Sequence, residues 1–386
     1  MPAEFQLRKF VAPEYIFGVD ARLLAGRYAR NLGGRKVLVV SDPGVTAAGW
    51  TGDVTASLDA AGVPYVLFTS VSPNPRAEEV MAGAELYREK GCNALVAVGG
   101  GSPLDCAKGI GIVSSNRRHI LSFEGVDRVP LPMPPLICIP TTGGTSADVS
   151  QFAIITNLQE KTKTAIVSKS VVPDLTLIDP RTLTTVDPYL SACTGLDALT
   201  HAVEAFVSNA HSPMTDLHAL EAIRLISKNL LPSLASLDDL RLRGEMMLGS
   251  LQAGLAFSNA ILGANHAMAH SLGGLLDLAH GECNAILLDH VIAFNYDAIP
   301  ERFEKIAEAM GLDLRGMSSA GKKKALLERV RDLRSRAGVD RRLEILGVKR
   351  GDLSFLSRKA LQDPCLMTNP RPANRRDLEV IYEETL

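Results

Sequence analysis

Ala94-Leu-Val-Ala-Val-Gly-Gly-Gly-Ser-Pro-Leu-Asp-Cys-Ala-Lys108 is the stretch from which the fold can be read. Ala94 to Val98 is an unbroken apolar run, the pattern of a strand buried on both faces of a parallel sheet. Gly99, Gly100 and Gly101 then remove the side chains, Ser102 is a good N-cap, and Pro103 suits a first helical turn. The expected result is a strand, a tight glycine turn and an open helix N-terminus. Free backbone N–H groups and the helix dipole at such a terminus attract phosphate. The run is neither G-x-G-x-x-G nor a P-loop, since no Gly-Lys-Ser/Thr follows.

Working outward, similar short apolar runs occur at 36–40, 65–68 and 136–139, with a helical pattern over 76–90 between two of them. That alternation predicts a doubly wound, mostly parallel sheet of Rossmann-like α/β type. Residues 152–156 and 165–167 add two strands that could form a hairpin, and 175–178 a last one. Beyond Asp187-Pro188 apolar residues recur at helical spacing, over 217–226, 241–257, 301–310 and 322–337. The chain of 386 residues is therefore expected to divide into an α/β domain over 1–185 and an all-α domain over 186–386. A ligand site is expected in the cleft between them.

The formal net charge is only −2, which gives no electrostatic case for nucleic acid or an anionic membrane. Basic residues near 322–336 and 341–350 are interspersed with acidic ones and read as solvated helix faces. No run of about 18 uninterrupted apolar residues suggests a membrane span, and the N-terminus lacks a signal-peptide pattern. The six cysteines (92, 106, 138, 193, 283 and 365) are scattered, with no C-x-x-C, as expected of reduced thiols in the cytoplasm.

The second half carries a set of metal-binding side chains. Asp197 and His201 are four residues apart, as are His266 and His270, so each pair shares one face of a helix. His280 follows, just before Gly281. Imidazoles with one carboxylate suit a divalent transition metal such as iron or zinc.

Taken with Pro140-Thr-Thr-Gly-Gly-Thr145, Gly195-Leu-Asp-Ala-Leu-Thr-His201-Ala-Val-Glu204, His266-Ala-Met-Ala-His270 and Asn369-Pro370-Arg371, the chain resembles the iron-containing (group III) alcohol dehydrogenases over nearly its whole length. The resemblance implies the two-domain architecture that this family shares with dehydroquinate synthase. It implies that Asp197, His201, His266 and His280 hold Fe²⁺, or Zn²⁺ or another divalent metal, with His270 beside them as a catalytic proton-relay group. Asp148 stands where many members have Glu, and Asp289 where Pro is common.

The same resemblance implies a nicotinamide dinucleotide on the glycine turn. Gly100, Gly101 and Ser102, in the motif that ends at Asp105, would meet the pyrophosphate; Thr141, Thr142 and Thr145 offer hydroxyls beside it. Asn74 matches a position near the adenosine half, and Lys163 a lysine near the ribose. Leu183 is expected against the nicotinamide. Asp42 ends the first clear strand, where a carboxylate can bond a ribose hydroxyl and repel a 2′-phosphate, so NAD is expected over NADP. The implied reaction moves hydride between NAD(H) and a small alcohol or aldehyde, and the implied assembly is a homo-oligomer, a dimer or higher.

Two other readings stand beside this one. A metal- and NAD-dependent lyase of the dehydroquinate synthase type would need several basic groups in its site, whereas 195–204 and 263–281 are rich in Ala, Leu, Met and Gly. A non-catalytic regulatory relative would have no need of a complete ligand set, yet every ligand position here is filled.

Overall fold

In the computed structural model, which describes residues 8–386, alternate residues of the central strands feed two separate cores. The strands are β1 (Glu14–Phe17), β2 (Val37–Val40), β3 (Tyr65–Phe68), β4 (Ala94–Gly99), β5 (Gly125–Val126), β6 (Leu136–Pro140), β7 (Phe152–Asn157), β8 (Thr162–Val167) and β9 (Leu175–Ile178). The helices of this half are α1 (Ala25–Asn31), α2 (Pro43–Ala47), α3 (Trp50–Ala60), α4 (Ala77–Glu89) and α5 (Gly101–Asn116). Val37, Val39, Val96, Val98, Ile137 and Ile139 pack against α1 and α3. Leu38, Val40, Leu95, Ala97 and Cys138 point the other way, onto α4 and α5. This two-residue period, buried on both sides, is why the strands read as continuous apolar runs.

Six strands form one all-parallel sheet in the order β1-β9-β6-β4-β2-β3. The chain runs outward from β2 to β3, then returns to place β4 on the other side of β2. That reversal opens a crevice at the carboxyl ends of β2 and β4, the usual ligand position in an open α/β sheet. The expected hairpin is present: β7 and β8 are antiparallel, with β5 alongside β8.

From Pro188 onward every element is helical: α6 (Pro188–Val207), α7 (Pro213–Ala235), α8 (Leu240–Ala260), α9 (Ala264–Leu276), α10 (His280–Asn295), α11 (Pro300–Ala309), α12 (Ser319–Arg336), α13 (Leu353–Ala360) and α14 (Arg375–Thr385). They share one core, which also takes in Phe152 and Val167 of the hairpin. The hairpin lies against α9 because Gly273 and Gly274 have no side chain: a Cβ on Gly274 would stand 2.8 Å from the Lys161 carbonyl oxygen. Asp289, on α10, is buried between Arg331 (2.6 Å) and Arg334 (2.8 Å) of α12, so this position anchors one helix to another. Among the described residues no single helix is long and apolar enough to cross a membrane.

Candidate active site

Three helices bring one cluster together. Asp187 caps α6 through the Leu190 N–H, and the helix then runs unbroken past Asp197 and His201. α9 carries His266 and His270, and His280 is the first residue of α10. Gly281 permits that approach, since a Cβ there would lie 2.7 Å from the Cys193 carbonyl oxygen of α6. One nitrogen or oxygen from each of Asp197, His201, His266 and His280 lies within 4.8 Å of the others. The His201 and His266 rings stack at 4.5 Å, and Asp197 Oδ1 stands 3.8 Å from Nε2 of both His266 and His280.

Burial sets the charge state of this cluster. It pushes His201 down to about 3, and His266 and His280 well below the ordinary imidazole value. Burial also raises Asp197, against the pull of His201. The imidazoles are therefore neutral, with lone pairs to give. Among the described residues Nδ1 of His201 and Nδ1 of His280 are buried without a hydrogen-bond partner. Three neutral imidazoles and one carboxylate, each with a ligand atom within 4.8 Å of the others, fit a divalent transition cation.

Several supporting groups were given no role from the sequence. Glu204 lies on the Asp197/His201 face of α6; its Oε2 meets His266 Nδ1, and its Oε1 accepts the Asn265 N–H at 2.7 Å. Burial pushes Glu204 up to about 8 despite the backbone donors around it. Asn284 places Nδ2 2.7 Å from Asp197 Oδ1 and 3.1 Å from Nε2 of His266 and His280. Asp363 holds His270 Nδ1 at 2.8 Å. Asn369, in the Asn-Pro-Arg motif, accepts the Ala264 N–H at the start of α9 and so steadies the helix that carries two of the histidines. Helical period was a signal for Glu204; Asp363, 93 residues from His270, left no local one.

The cluster forms one end of a cavity of about 890 Å³ that reaches the crevice of the sheet. Asp42, Asn74, Gly100, Gly101, Ser102, Asp105, Thr141, Thr142, Thr145, Lys163 and His270 all line it, with the four residues of the cluster. Leu183 does not: it is buried behind Gly143, and Thr185 and Val186 reach the cavity instead. The helix after β4 starts earlier than expected. Gly100, not Ser102, is its N-cap, and no side chain occupies that terminus. Ser102 Oγ accepts the Asn74 N–H at 3.1 Å, so it holds the neighbouring loop rather than the helix. Gly99 has φ +153, and a Cβ there would sit 2.5 Å from Pro103 Cγ, so the turn needs glycine.

Most of the remaining polar groups are held by neighbours. Asp42 caps α2 through the Val45 N–H at 2.8 Å while facing the cavity at the end of β2. Thr142 Oγ1 has no partner among the described residues. Burial lowers Lys163, whose Nζ donates to Asn74 Oδ1 at 2.7 Å. Asn74 Nδ2 donates in turn to Asp277 Oδ1 at 2.8 Å, and Arg76 pairs with Asp277 at 2.9 Å. Burial brings Asp105 up to about 6, opposed by Lys108.

Comparison with known proteins matches residues 12–180 to the model described as iron-containing alcohol dehydrogenase. Residues 191–386 match the C-terminal model of the same family. The chain is 40% identical over 370 residues to the 1,3-propanediol dehydrogenase of Citrobacter freundii, covering 95% of this chain and 96% of that one. A solved 1,3-propanediol oxidoreductase superposes with a TM-score of 0.95 at 38% identity, over 99% of this chain and all of that one. A sulfoacetaldehyde reductase from Bifidobacterium kashiwanohense, solved in complex with NAD+, gives 0.86 at 28% identity over 98% and 99% of the two chains.

Proposed function

Because the chain belongs to the iron-containing alcohol dehydrogenase family, an oxidoreductase family, we propose that its cleft transfers hydride between NAD(H) and a small primary alcohol, diol or aldehyde. The observation that carries this reading is continuity: one cavity joins the uncapped helix terminus after β4 to the Asp197/His201/His266/His280 cluster. On this reading residues 1–185 hold the dinucleotide and 186–386 hold the metal. A divalent cation in the cluster would polarise the substrate oxygen, and the nicotinamide would carry the hydride.

The chain's own groups do the rest. Backbone N–H groups at Gly101 and Ser102 receive the pyrophosphate, and the Thr142 hydroxyl offers a further donor beside them. Asn74 and Lys163, bonded to one another, face the ribose side. Glu204 fixes the His266 ring and Asn284 fixes the Asp197 carboxylate, so the ligand atoms keep their directions. His270 lines the cavity with Nδ1 committed to Asp363, so its Nε2 is left to take or return the alcohol proton.

The lining favours a small, uncharged substrate. Among the described residues around the cavity Lys163 is the only lysine or arginine, while Phe152, Phe257 and Leu262 supply apolar surface. A phosphorylated substrate would find too little positive charge. Asp42 favours NAD over NADP by repelling the extra phosphate. Iron is the expected metal, with zinc accepted by the same donors. Six buried free thiols suit the reducing cytoplasm. The edge strand β1, with Tyr15 and Phe17 exposed, supports a homo-oligomer, as a dimer or higher.

The test is a panel of short alcohols, diols and aldehydes with NAD(H) and NADP(H), run on protein reconstituted with Fe²⁺. Net interconversion of NAD and NADH with at least one short alcohol or aldehyde is expected. No change in cofactor redox state with any of them would end the proposal.

A further inference from the structure

Beside the four-residue cluster, one other set of metal-binding side chains converges among the described residues. It consists of His270 on α9, Asp363, and Cys365 in the turn that Asp363 caps. One ligand atom from each lies within 4.8 Å of the other two. His270 Nδ1 and Asp363 Oδ2 are 2.8 Å apart, and Asp363 Oδ1 accepts the Cys365 N–H at 2.8 Å, so the carboxylate is held from both sides. His270 and Cys365 are buried, and the Asp363 side chain is only 8% exposed. We propose that His270, Asp363 and Cys365 form a second metal site, for a thiophilic divalent cation such as zinc or cadmium, and that filling it disables His270.

The two donor sets differ in kind. The first offers three nitrogens and an oxygen; the second offers one nitrogen, one oxygen and one sulfur, which prefers softer cations. A tetrahedral zinc sets its nitrogen and oxygen ligands roughly 3.3 Å apart, so the existing pair needs to open by only about half an ångström. Three protein ligands leave the fourth position to water. Two neighbouring cations repel one another, so the second site fills after the first and more weakly.

The proton balance gives the consequence. Burial keeps Cys365 as a thiol, so each cation that binds sulfur releases that proton to solvent. Coordination through Nδ1 moves the ring proton of His270 onto Nε2. The cavity then faces an N–H donor that cannot accept the alcohol proton. This loss of activity rests on the role of His270 in the function proposed above; the metal count does not.

The experiment starts from protein carrying one equivalent of its own metal and titrates it with Zn²⁺ and with Cd²⁺. The expected result is a second bound equivalent with the first metal retained and a cadmium–thiolate charge-transfer band. A fall in alcohol-oxidation kcat of about 100-fold should accompany it, the size of a lost general base. Cys365→Ser should retain the first equivalent and lose the second, together with the band and the inhibition. Asp363→Asn should bind the second equivalent more weakly. One-for-one release of the first metal, absence of a second equivalent, or a second equivalent unchanged in Cys365→Ser would each overturn the site. A second equivalent that leaves kcat unaltered would keep the metal but remove His270 from the reaction.

Discussion

Glu204 and His266 form a buried pair that ties α6 to α9. Oε2 of Glu204 on α6 meets Nδ1 of His266 on α9, and the other carboxylate oxygen caps the start of α9 at Asn265. A cation on His266 would draw the proton from Glu204, and a carboxylate on the far nitrogen of a ligating imidazole fixes its tautomer and raises its basicity. Glu204→Gln should therefore weaken metal binding by about 10- to 100-fold while leaving all four ligands in place. Competition with a chelator measures this, and an unchanged affinity would reduce Glu204 to a helix cap.

The ligands themselves should separate from their neighbour. His266→Ala or His280→Ala should abolish bound metal and activity together, because each removes a coordinating nitrogen. His270→Ala should keep most of the metal and lose about 10²- to 10⁴-fold in rate. Metal analysis beside kcat makes the distinction. If His270→Ala strips the metal as fully as His266→Ala, the ligand set has been drawn wrongly.

Cofactor choice is assigned to Asp42. Its carboxylate at the end of β2 should disfavour NADP by about 10- to 100-fold, or about 1.4 to 2.8 kcal/mol. Asp42→Gly should raise kcat/KM with NADP(H) at little cost to metal content. It also removes the cap of α2, so thermal stability should be followed in parallel. Equal use of both cofactors by the unaltered protein would leave Asp42 as a turn residue.

The neutral histidines make the metal-free protein sensitive to acid. Burial holds His201 near 3 in the folded state, whereas the unfolded ring protonates near its ordinary value of 6.5. Its contribution to stability is complete above about 6.5 and drains away as pH falls toward 3, by about 1.4 kcal/mol per pH unit. Glu204 and Asp105, raised by burial, act in the opposite sense, so the comparison must be made by difference. The stability advantage of metal-free wild type over His201→Gln should shrink by that amount per unit between pH 6 and pH 5 in urea unfolding. A difference that stays flat over that range would show that the ring is not held neutral.

What could be read from the chain was local in origin. The strand, the glycine turn and the helical pairs each rest on a spacing of two, four or a few residues, which the sequence displays directly. Ser102 was misplaced because three successive glycines leave the helix start to tertiary contact, and the loop at Asn74 claims its hydroxyl. Leu183 was misplaced for the same kind of reason: nothing in its neighbours says which way a short turn faces. Strand β1 is a mostly exposed edge beginning at Glu14, without the unbroken apolar run of the buried strands, and β5 has only two residues. Asn284 and Asp363 serve partners up to 87 and 93 residues away, a relationship that only the folded chain creates.

The link from Asn74 and Arg76 to Asp277 spans the cleft between the parallel-sheet half and the end of α9, and Asp277 is exposed. A fastener placed in water is one that dissolved ions loosen. Were the dinucleotide to enter and leave past it, its strength would set a pace for turnover distinct from the chemistry. Where release of the spent cofactor limits kcat, added salt should speed the enzyme, and Asp277→Ala should both mimic that gain and erase the response to salt.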